Sequence, residues 1–170
     1  MELIKRIKDR APEYPAYYKE LISKLTITQG GMAGTASERE KWEQGKYFST
    51  VYEIYMYATI LGLKKNYKIP NPPGTEMSKF IEIKSWQPSD LADYIISLII
   101  AKSEFDLNVV EEMEEQEIEK EVILKLRKLM EEYANGGFDL IRSKMDENPS
   151  FFEDNENCLI DLMDETQLDK

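Results

Sequence analysis

At 170 residues, 42% apolar and 32% charged, the chain has the make-up of one globular domain whose core needs no covalent staples. A net charge of −11 argues against gripping phosphates unaided, because non-specific nucleic-acid affinity rests on Lys and Arg. With no histidine and the single Cys158, the chain has no Ser-His or Cys-His nucleophile pair, no internal disulfide and no thiolate zinc site.

In chain order the signals are mostly helical. MELIKRIKDR mixes both charge signs and lacks an apolar core segment, so it does not read as a secretory signal. Pro12 suits a first helical turn, and Tyr14, Tyr17, Tyr18, Leu21, Ile22 and Leu25 follow at three-and-four spacing, which predicts a helix over 13–26. Residues 28–36 form a loop by composition. Ser37 with Glu40 offers a capping box. It opens a helix that runs, with or without a break at Gly45, into the very apolar segment ending at Leu61. So little polar surface requires enclosure by other helices. Gly62 is placed to end that helix in the left-handed region, with Lys64 and Lys65 complementing the negative helix end.

Residues 66–79, with three prolines, form a long irregular connection. Phe80 to Trp86 alternates like a strand but has no evident pairing partner, so we expect an extended segment packed on helices, with Trp86 a plug beneath the connection. A helix follows from Ser89 or Asp90 to Lys102, then a single turn at Asp106–Val110. Its apolar run, Tyr94 to Ala101, is interrupted by Ser97 and too short to cross a bilayer. Glu114 to Tyr133 is the longest helical pattern, supported by a Glu121–Lys125 pair. Asn135-Gly136-Gly137 is read as its stop, and Phe138 to Met145 as a short returning helix. From Pro149 the chain becomes acidic, with Cys158, Leu159, Leu162 and Met163 able to form a last amphipathic turn or two.

Charge is segregated. Residues 1–84 carry +4 (14 basic, 10 acidic) and residues 85–170 carry −15 (8 basic, 23 acidic). Seven acids lie in Glu111–Glu121 and nine in Asp146–Asp169. We read these as a solvated helix face and an acidic tail; the sharper alternative is a surface that docks a basic partner or imitates nucleic acid.

Two landmarks occur together: YMYATILGLKKNYKIP at residues 55–70, and YANGGFDLI at residues 133–141. This ordered pair resembles small helical proteins associated with the Dnd system, the bacterial islands of phosphorothioate DNA modification and restriction, and it covers Lys46 to Arg142. The acidic stretch Glu111–Glu121 and the region beyond Asp146 do not match the family pattern. The resemblance brings no catalytic residues with it. It implies an accessory or regulatory component working beside larger DNA-acting enzymes.

What chemistry remains is carboxylate chemistry. Glu111 with Glu115, Glu117 with Glu121, and Asp90 with Asp93 stand one turn apart and have the residue types to hold Mg²⁺ or act as acid and base. Such pairs are common in a chain with 33 acids, and we read them as water-facing, with Asp90 and Asp93 as first-turn acids. The loop Gly30 to Thr35 lacks the lysine of a phosphate-binding loop and reads as a hinge. Lys5, Arg6, Lys8 and Arg10 lie near Tyr14, Tyr17, Tyr18 and Lys19, a mixture that single-strand binders use; we read the tyrosines as core. Trp42 is likewise read as core.

The expectation is therefore an all-α, compact bundle of about five or six helices, with Val51–Leu61 and Leu91–Ile100 most buried. Residues 1–148 form one domain and 149–170 an acidic tail. No catalytic, cofactor-binding or metal-ligating residue is assigned, and no cofactor is expected. The leading function is a non-enzymatic, cytoplasmic interaction protein of a bacterial DNA-modification or anti-phage system. Its expected partner is a protein such as a DNA-acting enzyme, without direct nucleic-acid or membrane binding; a homo-oligomer stays open. The alternatives are an acidic DNA mimic that inhibits a basic partner, and a carboxylate-dependent metal enzyme.

Overall fold

Thr50 and Glu53 start the central helix. The Thr50 hydroxyl accepts from the Glu53 backbone N–H, and the Glu53 carboxylate accepts from the Thr50 and Ser49 N–H groups. This capping box satisfies donors that the first turn leaves orphaned. The computed structural model describes residues 2–26 and 47–165. Within them the chain is predominantly helical, built from α1 (Glu2–Lys8), α2 (Lys19–Leu25), α3 (Val51–Lys64), α4 (Ser89–Lys102), α5 (Leu107–Glu111), α6 (Glu115–Glu117), α7 (Leu124–Glu147), α8 (Phe151–Asp154) and α9 (Cys158–Asp164). A π-helical stretch, Ile118–Ile123, joins α6 to α7 into one rod. Short strands β1 (Glu13–Pro15) and β2 (Met77–Lys79) pair antiparallel, with Tyr14 opposite Ser78.

The core forms where α3 lies against α7. Ile54, Tyr55, Ala58 and Leu61 of α3, Ile95, Ile96 and Ile99 of α4, and Leu126, Met130, Ala134 and Phe138 of α7 are all buried. The expected burial of the central and Leu91–Ile100 segments is thus found, although Val51, Tyr52 and Leu91 are only half-buried. An aromatic cluster fills the space between the sheet and α3. Tyr55 stacks on Phe80 at 5.1 Å and meets Trp86 at 5.5 Å and Phe138 at 5.8 Å. Trp86 donates to the Ile81 carbonyl and is buried, the plug its composition suggested.

Four local expectations change. Residues 13–18 form β1 and a 3₁₀ turn, so only 19–25 of the expected 13–26 helix is α-helical. The strand lies at Met77–Lys79, just before the alternating Phe80–Trp86, and its partner is the Glu-Tyr-Pro that helical spacing had claimed. Gly62 does not end α3. The helix runs two residues further, to Lys64, and the chain turns at Asn66, whose φ of 49° supplies the left-handed corner, with Asn66 N–H bonded to Leu63 and Tyr67 N–H to Gly62. Asn135-Gly136-Gly137 does not stop the rod: α7 runs unbroken from Leu124 to Glu147.

The glycines serve close approach instead. A Cβ on Gly137 would stand 1.8 Å from the Ala58 carbonyl oxygen, and one on Gly62 would stand 2.0 Å from that of Tyr133. Gly136, one position round the helix, lets the Tyr67 carbonyl approach equally closely. Two helix backbones and the connection after α3 therefore meet with no side chain between them. The helical segments outnumber the five or six expected, partly because the short α1 precedes the sheet and partly because the acidic end folds into α8 and α9 against the body. Phe152, Cys158 and Leu162 are buried there, and the Tyr57 hydroxyl donates to the Leu159 carbonyl at 2.6 Å. The expected capping box at Ser37, the break at Gly45, the Gly30–Thr35 loop and Trp42 lie outside the described residues.

Candidate docking site

The carboxylate pairs named from sequence all reach water. Glu111, Glu115, Glu117 and Glu121 are exposed, and Glu121 is bound by Lys125 at 2.7 Å, which lowers its pKa. Asp90 is an exposed first-turn residue of α4, while Asp93 accepts from Lys8 at 2.7 Å. Among the described residues no group of three or more Cys, Asp and Glu side chains stands close enough to share a metal ion.

The basic amino-terminal residues are committed elsewhere. Arg6 reaches Glu115 at 2.9 Å and Glu119 at 3.5 Å, and Arg10 also pairs with Glu119. These pairs clamp α1 onto the start of the rod. Tyr14 and Tyr18 are buried in the aromatic cluster, and Tyr17 is half-exposed beneath the Arg142 guanidinium. Lys5 alone of the four amino-terminal cations is exposed without a carboxylate partner among the described residues.

Among the described residues one carboxylate is buried. Glu131 accepts from the Glu13 N–H at 2.9 Å and from the Asn71 amide at 3.0 Å, with Arg127 Nε at 3.3 Å. Asn135, also buried, donates to Asn71 and to the Ile69 carbonyl. Burial raises the Glu131 pKa, and the two hydrogen bonds together with the Arg127 charge oppose that shift. Every partner belongs to the fold itself, so this network fastens β1 and the proline-rich connection to α7. Sequence reading missed it, because Glu131 looks like any other acid on a charged helix.

A groove of about 300 Å³ lies between α1, α5 and the π-helical stretch. Leu3, Val110 and Ile118 form its apolar floor, Leu107 its wall, and Glu2, Arg6 and Glu111 its lip. The π stretch helps to shape it: the Leu124 N–H bonds back to Glu119, a wider i→i+5 turn that admits one extra residue. Ile118 thereby faces the groove while Val122 and Ile123 are buried. Beside the groove Val109 is 51% exposed and Leu107 41%, amid the exposed Glu111, Glu112, Glu114 and Glu117. Sequence reading saw only a turn at Asp106–Val110; the available signal was the apolar pair between acids.

The family model of DNA sulphur modification system-associated protein 4 matches residues 36–169. The chain belongs to that family. The match extends across Glu111–Glu121 and past Asp146, so the two acidic regions that the resemblance left out belong to the family's span. It does not include α1, which supplies Leu3 and Arg6 to the groove. Neither the curated proteins nor the solved structures yield a significant match. Among the described residues no helix is long and apolar enough to cross a membrane.

Cys158 gives a test of how firmly the acidic end is docked. Burial pushes its thiol up to about 11. The thiolate is the reactive species, so native protein should react with a thiol reagent on the order of 100-fold more slowly than the unfolded chain at pH 8. Stopped-flow labelling with and without denaturant measures this. Equal rates would mean that α9 leaves the body readily.

Proposed function

We propose that this protein is a non-enzymatic accessory component of a DNA sulphur modification system, acting by contact between its acidic face and a protein partner. The observation that carries this reading is where the acids sit. Glu111, Glu112, Glu114 and Glu117 stand exposed along one edge of a folded body, while Glu131, the one buried carboxylate among the described residues, is used up by the fold. Family membership supplies the setting, and a protein that works on DNA presents the basic surface such a face attracts.

A second reading shares the same residues. Because these carboxylates are held on or beside α5 and α6, they could stand in for a row of phosphates and compete with DNA for the partner. Neutralising Glu111, Glu112, Glu114 and Glu115 to Gln separates the two. Loss of competition with DNA, with the partner still bound, favours the mimic.

Co-purification from the native host tests the main reading. The expected result is recovery of a DNA-processing protein together with altered phage sensitivity when the gene is deleted. Recovery of no such protein, with unchanged sensitivity, would sink it.

A further inference from the structure

Resting on the reading above, we propose that the α1–α5 groove seats a short amphipathic, Lys/Arg-rich helical segment of the protein partner. One or two of its apolar side chains enter the groove, and its cations lie among the surrounding carboxylates. A groove of about 300 Å³ walled by Leu3, Leu107, Val110 and Ile118 has room for such an anchor, and Leu107 and Val109 carry the apolar surface past its lip. An apolar centre inside a polar rim is the anatomy of a protein interface, and a helix laid in a groove is a common way to fill one.

The charge around it decides the partner's chemistry. Residues 103–119 hold eight carboxylates and no Lys or Arg. Arg6 and Arg10 meet Glu115 and Glu119, which leaves Glu111, Glu112, Glu114 and Glu117 without an ion-pair partner among the described residues. An acidic segment, a nucleic acid or an anionic lipid surface would be repelled here, whereas a basic segment is drawn in and oriented. A second apolar groove among the described residues, formed by Ile60, Leu63, Tyr94 and Leu98 between α3 and α4, is edged by Lys64 and Lys102 and does not offer this complementarity.

The probes are three fluorescein-labelled synthetic peptides: a Leu/Lys amphipathic helix, its Leu→Ser counterpart of equal charge, and its Lys→Glu counterpart. Anisotropy titrations with the full chain are expected to show binding of the first alone, weakening as salt is raised. Leu107→Asp should weaken it at least tenfold, and E111Q/E112Q/E114Q should flatten its salt dependence. Tyr94→Asp, in the other groove, should leave it unchanged. All these positions are exposed, and circular dichroism checks that each variant folds. Absence of binding by the Leu/Lys peptide, equal binding of the Ser or Glu peptide, or indifference to Leu107→Asp would overturn the proposal. A dimer in sedimentation that Leu107→Asp dissociates would assign the groove to a second copy and overturn it as well. With the host partner in hand, retention by Leu107→Asp refutes the groove alone, while failure of the wild-type chain to hold any partner refutes the accessory reading.

Discussion

Gly137→Ala is expected to destabilise the protein by about 3 kcal/mol and to lower its melting temperature by roughly 10 °C. In an isolated helix the same change stabilises by about 1 kcal/mol, because alanine loses less backbone entropy and shields the helix bonds. Here the new Cβ falls 1.8 Å from a main-chain oxygen of Ala58, and backbone at the centre of two packed helices cannot swing aside as a long side chain does. Either α3 and α7 separate, opening voids around Ile54, Phe138 and Met130, or the helices bend. Gly136→Ala faces the Tyr67 carbonyl instead, in the connection after α3, which has more freedom to shift, so its loss should be smaller. Thermal unfolding followed by circular dichroism measures both. A rise in melting temperature for Gly137→Ala would show that propensity outweighs contact and that the two helices are not packed backbone to backbone.

Glu131→Ala is expected to cost about 3 kcal/mol, read from denaturant unfolding. It removes the acceptor for the Glu13 N–H and the Asn71 amide and leaves the half-buried Arg127 without its carboxylate. Nothing else within the network replaces it, and water has little access. The pH dependence has a definite sign. Burial holds the Glu131 carboxyl above the ordinary value of 4.5, so the folded state binds that proton more tightly than the unfolded chain does. The stabilisation this group gives is complete below the ordinary value and is lost as pH rises through the folded pKa. Glu131→Gln does not titrate there. Measured from about pH 4 to 7, the stability difference should therefore move in favour of the Gln variant and then level off. A difference that does not change with pH would mean that the carboxylate is as well solvated as an exposed one.

The docking face was only half legible in the sequence. Composition showed that acids crowd residues 111–121, and the paired landmarks at 55–70 and 133–141 pointed to the family that the match over 36–169 bears out. Nothing local revealed that Leu3, more than a hundred residues away, would floor a groove with Val110 and Ile118. Nor did spacing reveal that Arg6 and Arg10 would neutralise Glu115 and Glu119, because ion pairs across such separations depend on where α1 docks.

By itself the sequence determined the helical class, the enclosure of the segment after Thr50, the burial of Trp86 and the segregation of charge. All of these follow from hydrophobic periodicity and residue inventory, which are local quantities. Only the tertiary structure decided what the glycines do. Asn-Gly-Gly reads as a helix stop because its intrinsic cost to a helix is real. Packing against Ala58 and Tyr67 outweighs that cost, since backbones come this close only where no Cβ intervenes. The same holds for Glu-Tyr-Pro at residues 13–15: helical spacing claimed it, and a partner strand more than sixty residues away took it. Where local preference amounts to about a kilocalorie and long-range contact to several, the long-range contact sets the outcome.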